Sequence, residues 1–553
     1  MQRKKILFCS EASFMPTGYS VYTREVLSRL NRNPNFEVAE LACYCDPSHH
    51  HVSDCDWKVY PNQPPKDSPE HVQYKSSPIN EFGEFSFNGV LLDFMPDFVM
   101  DIRDWWMLEF EQRSPFRDFF NWAIMPTVDA EPQNSQWIET YASADAVYAY
   151  SEFGRDVMLK QCPSINFQGI ASPCASDTFA PVKNKKTHKT EVGLHENSII
   201  IGTVMRNQRR KLYPDLFKVF SDLIKSSQNP NIFLYCHTYF PDVGWDIPEL
   251  LSTYGLSNRV LFTYRCKKCN SVTPSFFNDV YKFCSKCGSF DNHLVGINNQ
   301  MSESDLAKIY NLFDVYIQYA NSEGFGMPQL EAAKCGVPVA SIDYSAMSSV
   351  IKQIDGIPLA PLTYSTECET GCLRAVPNND HTLLVLNSLV SLTQEQRIEQ
   401  GMKMRSNCIK NYSWDDTARA WSDYFESTPA RPLRETWHSP INIFTPSTDI
   451  PEGLSDKDYV NVLFERVLGK PEWIGGCLWK RTLKDIIYRA SVNSTMGDIY
   501  FNESHVQDNV QSWQSFDRNA ALKSMLEFRN YINSWETARQ TALEQLPLQA
   551  ARA

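Results

Sequence analysis

The chain has 553 residues, more than one hydrophobic core can serve, and about 150 residues per domain predicts three or four domains. Its 42% hydrophobic and 21% charged residues are those of a soluble globular protein. The formal charge of −12 excludes a general attraction to nucleic acid or anionic membranes, leaving room only for a local basic patch.

The N-terminal stretch MQRKKILFCSEA has too short an apolar run for a signal peptide and reads as a first buried strand. No run of about 18 apolar residues follows it, so no membrane-spanning helix is predicted. Strand patterns then recur at KILFCS (5–10), EVAELACY (37–44), FVMDI (98–102), AIMPTV (123–128) and AVYAYS (146–151), with helix patterns between them such as YSVYTREVLSRL (19–30). That alternation predicts βα units around a parallel sheet. A polar, lysine-rich break near 172–190 precedes a second series: SIIIGTVM (198–205), NIFLYCH (231–237), VLFTY (260–264), VYIQYA (315–320) and PVASID (338–343).

Two consecutive doubly wound, Rossmann-like domains are therefore expected, 1–175 and 176–427, with a ligand at the carboxyl ends of the strands. A Pro/Ser/Thr-rich linker is expected over 428–454. Three amphipathic patterns, SDKDYVNVLFERVL, LWKRTLKDIIYRA and FDRNAALKSMLEFRNYINSWETARQ, then predict an α-helical accessory domain over 455–553.

Three loops carry chemistry. In PTGYSVYTREV, Gly18 sits between the first strand and a helix, where a backbone N–H can approach a phosphate, or where the glycine simply makes a tight turn. In GTVMRNQRRKLYPDLF, Arg206, Arg209, Arg210 and Lys211 crowd the turn after a strand. A solvated basic loop has the same composition, but a strand's carboxyl end is where a diphosphate would be gripped by arginine forks and a lysine point charge. In NSEGFGMPQLEAAKCGVP, Glu323 precedes a Gly-Phe-Gly turn and Glu331 lies inside the helix that follows. The N–H groups of Gly324, Phe325 and Gly326 suit an anion or a carbonyl.

CKKCNSVTPSFFNDVYKFCSKC is Cys-x2-Cys, fourteen residues, Cys-x2-Cys, with Cys266, Cys269, Cys284 and Cys287 as candidate ligands. Four thiolates at that spacing predict a closed, structural Zn²⁺ ribbon over 265–290, with no open position for catalysis. Its lysines, Lys267, Lys268, Lys282 and Lys286, leave open whether it braces a loop or grips a partner. The stretch CYCDPSHHHVSDC (43–55) has ligand-type residues at irregular spacing and reads as a loop. Sixteen cysteines, with one group at metal spacing, fit a reducing cytoplasm better than a disulfide framework.

The run from Glu323 through Glu331 to CGVPVA resembles the E-x7-E signature of the retaining, GT-B-fold glycosyltransferases often called glycosyl transferases group 1. SPCASDTFAP (172–181) is similar to that family's NGVDxxxFxP hinge, with Asp177, Phe179 and Pro181 in register, and YAYSEFGRDVM matches a further segment. Arg206 and Lys211 have the spacing of its diphosphate-binding pair. The resemblance spans about residues 4–427. More narrowly, RNQRRKLYPDLF, YANSEGFGMPQLEAA and DIRDWW look like glycosyltransferases of tailed bacteriophages.

That resemblance implies a retaining transfer of a hexosyl or pentosyl group from a UDP- or GDP-linked sugar to a hydroxyl, with no catalytic metal. It implies Glu323 at the donor sugar, Glu331 at the ribose, Arg206 and Lys211 at the diphosphate, and Gly18 on the closing loop. Gly324, Phe325 and Gly326 would offer backbone N–H groups. The family's N-terminal-domain histidine has no counterpart in AIMPTVDAEP, where Thr127 or Asp129 stands instead; Asp129 either orients a substrate or caps the next helix. Arg103 and Arg113, with Trp105 and Trp106, are candidates for an acceptor pocket, although the tryptophans also fit a core. The phage likeness implies a hydroxymethylated base in phage DNA as acceptor; a glycan or protein acceptor, or a non-catalytic carbohydrate-binding shell, are the alternatives. The sequence does not fix the oligomeric state.

Overall fold

The computed structural model describes residues 3–227, 229–296, 299–469, 501–502, 505–506 and 516–550. The chain forms two compact units: Met1–Pro126, Glu139–Val147 and Ser422–Ala553 make the first, and Thr127–Ile138 with Tyr148–Trp421 the second.

In the first unit β1 (Lys4–Glu11), β2 (Phe36–Cys43), β3 (Lys58–Pro61), β4 (Phe98–Asp101), β5 (Asn121–Ile124) and β6 (Ala146–Ala149) follow the order β3-β2-β1-β4-β5-β6. Each pair is parallel. Strands so placed are covered on both faces, which is why β1, β4 and β5 read as continuous apolar runs rather than alternating ones. Order reverses at β1, so β1 and β4 flank the switch point.

The C-terminal segment belongs to this first unit. Trp437, 1% exposed, donates its indole N–H to the carbonyl of Pro96 at 3.1 Å and packs edge-on against Phe119 at 5.1 Å. Helix Asp456–Leu463 runs into a π-helical turn, Phe464–Leu468, and both pack on helix Arg518–Ala550 through Val460, Leu463, Val467, Ala521, Met525 and Ile532. The stretch read as a linker has no regular element, yet Arg539 donates to the carbonyls of Trp437 and Ser439 at 3.0 and 2.8 Å, and Arg529 to that of Asn442 at 3.1 Å. The helix expected around 478–490 lies outside the described residues.

β7 (Phe167–Ile170) extends the first sheet beside β6, and the second sheet starts with β8 (Ile199–Val204), β9 (Ile232–His237) and β10 (Val260–Cys266). The short strands β11 (Val272–Phe276), β12 (Tyr281–Lys282) and β13 (Asn292–Leu294) intervene before β14 (Val315–Gln318), β15 (Val339–Ile342) and β16 (Ile357–Leu359). The order is β12-β13-β10-β9-β8-β14-β15-β16, so its parallel part repeats the arrangement of the first unit and reverses at β8. Helix Tyr213–Ser227 presents Tyr213, Leu216, Phe217, Phe220 and Leu223 to this sheet at three- and four-residue spacing. Gly202 in β8 is a packing requirement: a Cβ there would stand 2.2 Å from the Phe313 ring. A hairpin, β17 (Pro361–Thr366) with β18 (Leu373–Pro377), follows β16.

Candidate functional site

In the second unit the loops after β8 and β14 leave adjacent strands at the reversal of strand order, the place where a doubly wound sheet opens a crevice. The first of these loops is held stiffly. The Asn207 carboxamide accepts the Trp245 N–H at 2.9 Å and donates to its carbonyl at 2.8 Å, while the Trp245 indole donates to the Lys211 carbonyl at 2.7 Å. Gly244 makes that clasp feasible, since a Cβ there would lie 2.6 Å from the Asn207 carbonyl oxygen. The loop then pairs with the chain leaving β14: Leu212 donates to Tyr319 at 3.0 Å, Asn321 to Arg210 at 2.9 Å, and Lys211 bridges Ala320.

This pairing brings two cations onto one carboxylate. The Lys211 ammonium donates to Glu323 Oε1, Arg210 Nη1 to Oε2 at 2.5 Å, and Gln318 Nε2 to Oε1 at 2.8 Å. Lys211 and Glu323 are each 6% exposed. The Glu323 main chain is fixed as well, its N–H donating to Ser345 Oγ at 2.9 Å. Burial pulls the Lys211 ammonium below its ordinary value, Arg210 adds to that shift, and Asp129 opposes it. The Glu323 carboxylate in contact with Lys211 acts in the same sense as Asp129.

Arg206 stands apart from this cluster, forked onto Asp242 at 2.9 and 3.0 Å. Arg210, a neighbour in the same basic run, is the arginine that meets Glu323. Asp129 is not a helix cap: Asn134 Oδ1 takes the Gln136 N–H at 2.9 Å. Instead Asp129 Oδ2 accepts from Arg374 Nη1 at 2.7 Å and from Ser322 Oγ at 3.2 Å. Arg374, on β18, also donates to Ser322 Oγ and Glu367 Oε2, both at 2.6 Å. Sequence reading misses Arg374 because nothing local marks it; only the hairpin's return to Asn321, through the Ala375 N–H at 3.0 Å, puts it there.

The turn after Glu323 is built from its glycines. Gly324 lies so close to Thr127 that a Cβ would come within 2.2 Å of the Thr127 methyl, and Gly326 has φ of 90°, in the left-handed region. Gly326 opens helix Met327–Lys334 with no side-chain cap, so the helix's first N–H groups and its dipole point into the turn. Phe325 faces inward, its ring 5.9 Å from that of Tyr412. Glu331, half-buried on this helix, accepts from the Tyr310 hydroxyl at 2.6 Å. Burial pushes its carboxyl up to about 7, Glu303 adds to the shift, and the Tyr310 hydrogen bond opposes it. Lys334 on the same helix donates to Asp177 at 2.7 Å, tying down the segment that carries Asp177 and Phe179.

Gly18 belongs to the first unit, exposed as the first residue of helix Gly18–Leu30 behind an N-cap, Thr17. Arg103 is wholly buried, its Nε 3.0 Å from each Asp101 oxygen and its Nη1 2.7 Å from the Phe82 carbonyl, which removes it from any acceptor pocket. Arg113 pairs with Glu109 at 2.7 Å, and Trp106 is partly exposed. Around 43–55, His51 pairs with Asp54 and His49 stacks on Phe14.

The four ribbon cysteines do converge. Their sulfurs lie within 4.8 Å of one another, with Cys266 and Cys287 at 3.6 Å and Cys269 and Cys284 at 3.7 Å. They form the one such cluster found among the described residues. Two matching knuckles hold them: Asn270 N–H donates to the Cys266 carbonyl at 2.8 Å and Gly288 N–H to that of Cys284 at 2.9 Å. Asn270 and Gly288 take the positive φ those turns need, 56° and 70°. The set can hold a tetrahedral metal.

Residues 286–360 match the family model Glycosyl transferases group 1. That stretch holds Glu323, the glycine turn and Glu331, whereas Arg206, Arg210 and Lys211 lie before it. A curated relative, the UDP-N-acetylglucosamine–peptide N-acetylglucosaminyltransferase GtfA subunit of Streptococcus parasanguinis, is 22% identical over 125 residues. The match spans 22% of this chain and 22% of that protein. Among solved structures, a sucrose-phosphate synthase from Thermosynechococcus elongatus superposes with a TM-score of 0.54 at 16% identity, covering 77% of this chain and 98% of its own. The Anabaena protein HepE, crystallised with UDP and glucose, gives 0.54 at 12% identity, covering 77% and 100%. WaaG, a glycosyltransferase of lipopolysaccharide biosynthesis, gives 0.51 at 12% identity, covering 76% and 100%. The fold is thus that of GT-B glycosyltransferases.

Proposed function

We propose that this protein transfers a hexosyl or pentosyl group from a UDP- or GDP-linked sugar to a hydroxyl acceptor, with retention of configuration and no metal at the reaction centre. The observation that carries the reading is the convergence of Lys211, Arg210 and Gln318 on Glu323, at the switch point of the second sheet, with Gln318 and Glu323 inside the segment matched to glycosyltransferases. Solved neighbours of the same fold include one bound to UDP and glucose.

The chemistry follows from charge. Departure of a nucleoside diphosphate builds negative charge, and preorganised cations stabilise it. Glu323 holds both cations in place, and a donor's phosphates compete with it for Lys211 and Arg210. Arg206, on the rim of the same loop, is a further phosphate contact once it leaves Asp242. As the sugar carbon becomes oxocarbenium-like, a carboxylate nearby lowers its energy, and Glu323 takes that role. The uncapped helix and the N–H groups of Gly324, Phe325 and Gly326 serve the phosphate oxygens. Glu331 takes the ribose hydroxyls in exchange for Tyr310. Asp129, held by Arg374 and Ser322, orients the acceptor or the donor sugar. Following the phage likeness, the acceptor is a hydroxymethylated base in DNA.

The four cysteines are assigned to a structural Zn²⁺. Tetrahedral Zn–S bonds of about 2.3 Å require sulfurs about 3.8 Å apart, close to the separations of 3.6 and 3.7 Å across the cluster. A disulfide requires about 2.05 Å. Four thiolates leave no position open to substrate.

Incubation with a panel of UDP- and GDP-linked sugars, in the presence and absence of modified duplex DNA, should release nucleoside diphosphate with one donor. Glu323→Gln and Lys211→Ala should each lower turnover about a hundredfold or more. Unchanged turnover in either variant would remove the site assignment, and binding without any release would reduce the protein to a sugar-nucleotide-binding shell. The product's anomeric configuration, read by NMR, tests retention.

A further inference from the structure

The ribbon's tip carries surface that the cysteines and the sheet leave unexplained. Phe283 is 55% exposed, Phe290 72% and Tyr281 51%, three aromatic side chains that a ribbon needing only to be braced would turn inward. Phe283 and Phe290 stand edge to face with ring centroids 5.3 Å apart, the one just before Cys284 and the other just after the second knuckle. The Lys267 N–H donates to the Asp291 carbonyl at 2.8 Å, which sets the first knuckle against the chain that carries Phe290.

Charge on this tip opposes that of the whole molecule. Residues 265–291 hold Arg265, Lys267, Lys268, Lys282 and Lys286 against Asp279 and Asp291, in a chain of net charge −12. Both carboxylates are engaged locally, Asp291 with His293 at 2.7 Å and Asp279 with the Val280 N–H at 2.6 Å. Lys282 turns inward to Ser275 Oγ at 2.8 Å, whereas Lys267, Lys268 and Lys286 are exposed on the two knuckles. The converging sulfurs hold those knuckles together, so the lysines and the ring pair share one end of the ribbon.

We propose that this end of the ribbon docks single-stranded nucleic acid, the bases stacking on Phe283 and Phe290 and the backbone phosphates meeting Lys267, Lys268 and Lys286. Exposed rings beside exposed cations match a polymer that offers flat faces and regularly spaced anions together. A duplex hides its base faces and a plain polyphosphate has none. The inference stands on the ribbon alone and does not depend on the sugar-transfer reading.

The full-length protein is titrated into a labelled oligothymidine of about 20 nucleotides and followed by fluorescence anisotropy at low and moderate salt. Saturable binding is expected, weakening as salt rises and weaker still for a duplex of equal length. Phe283→Leu with Phe290→Leu keeps the apolar volume but removes the rings, and should weaken binding about tenfold or more. Lys267→Ala with Lys268→Ala should weaken it and flatten the salt dependence. Each variant is checked for wild-type metal content and melting temperature. No binding at low salt overturns the proposal, as does unchanged affinity in the ring variant, which would mean attraction of any polyanion. A ring variant that changes the molecular mass in solution also overturns it, by showing that the rings join two copies of this chain.

Discussion

Lys211 and Arg210 share one carboxylate, and Glu323 is nearly buried in that contact. Removing Glu323 leaves two cations facing each other, whereas removing Lys211 leaves Glu323 still paired with Arg210. Conservative replacements are therefore the informative ones. Arg374 is the next residue to test. Its two Nη atoms span Asp129, Ser322 and Glu367, a fork that lysine cannot reproduce. Arg374→Lys should lower kcat about tenfold or more with a smaller change in the donor KM, as measured by steady-state kinetics; equal kinetics would detach Asp129 from the chemistry. Glu331 gives a pH signature. Its carboxyl rises from 4.5 to about 7 on folding, so the folded chain holds a proton that the unfolded chain has lost across that window. Its contribution to stability is therefore present below pH 4.5 and lost as pH rises toward 7, by up to about 3 kcal/mol. Glu331→Gln should flatten that slope, which thermal melts at a series of pH values would register.

At the scale of the element, the loop after β8 acts as one body because Asn207, Trp245 and the Lys211 carbonyl clasp it. Gly244→Ala would drive a Cβ into the Asn207 main chain and move Lys211 without touching it. The expected result is a fall of about tenfold in kcat/KM with melting nearly unchanged; a large drop in melting temperature with intact kcat/KM would assign the clasp to stability instead.

Across the whole molecule, the C-terminal segment is part of the first unit's packing. Trp437 is buried against Phe119 and bonded to Pro96, so deleting residues 428–553 should expose that seam and yield protein that aggregates or melts well below the full chain. A soluble truncation with an unchanged melting temperature would contradict this. The parallel sheets were legible in the sequence because buried strands read as apolar runs separated by helical periods, and the cysteine ligands because metal geometry constrains spacing. The glycine turn between Glu323 and Glu331 was legible too. That Arg210 meets Glu323 follows from the pairing of residues 210–212 with 319–321, a contact made across more than 100 residues that no local pattern encodes. Arg374 and Trp437 were hidden for the same reason: one sits in a hairpin, the other in a proline-rich stretch whose composition imitates a linker.

β10 pairs with β9 over Val260–Phe262, while β11 runs along its other side from Leu261 to Arg265. Without the ribbon, β10 would end the parallel sheet with a row of unsatisfied N–H and C=O groups, the template on which strands of other chains add. The cysteine cluster thus acts as a safeguard against edge-to-edge association. Protein loaded with Zn²⁺ and then treated with a strong chelator should show rising light scattering before the helical circular dichroism of either unit changes.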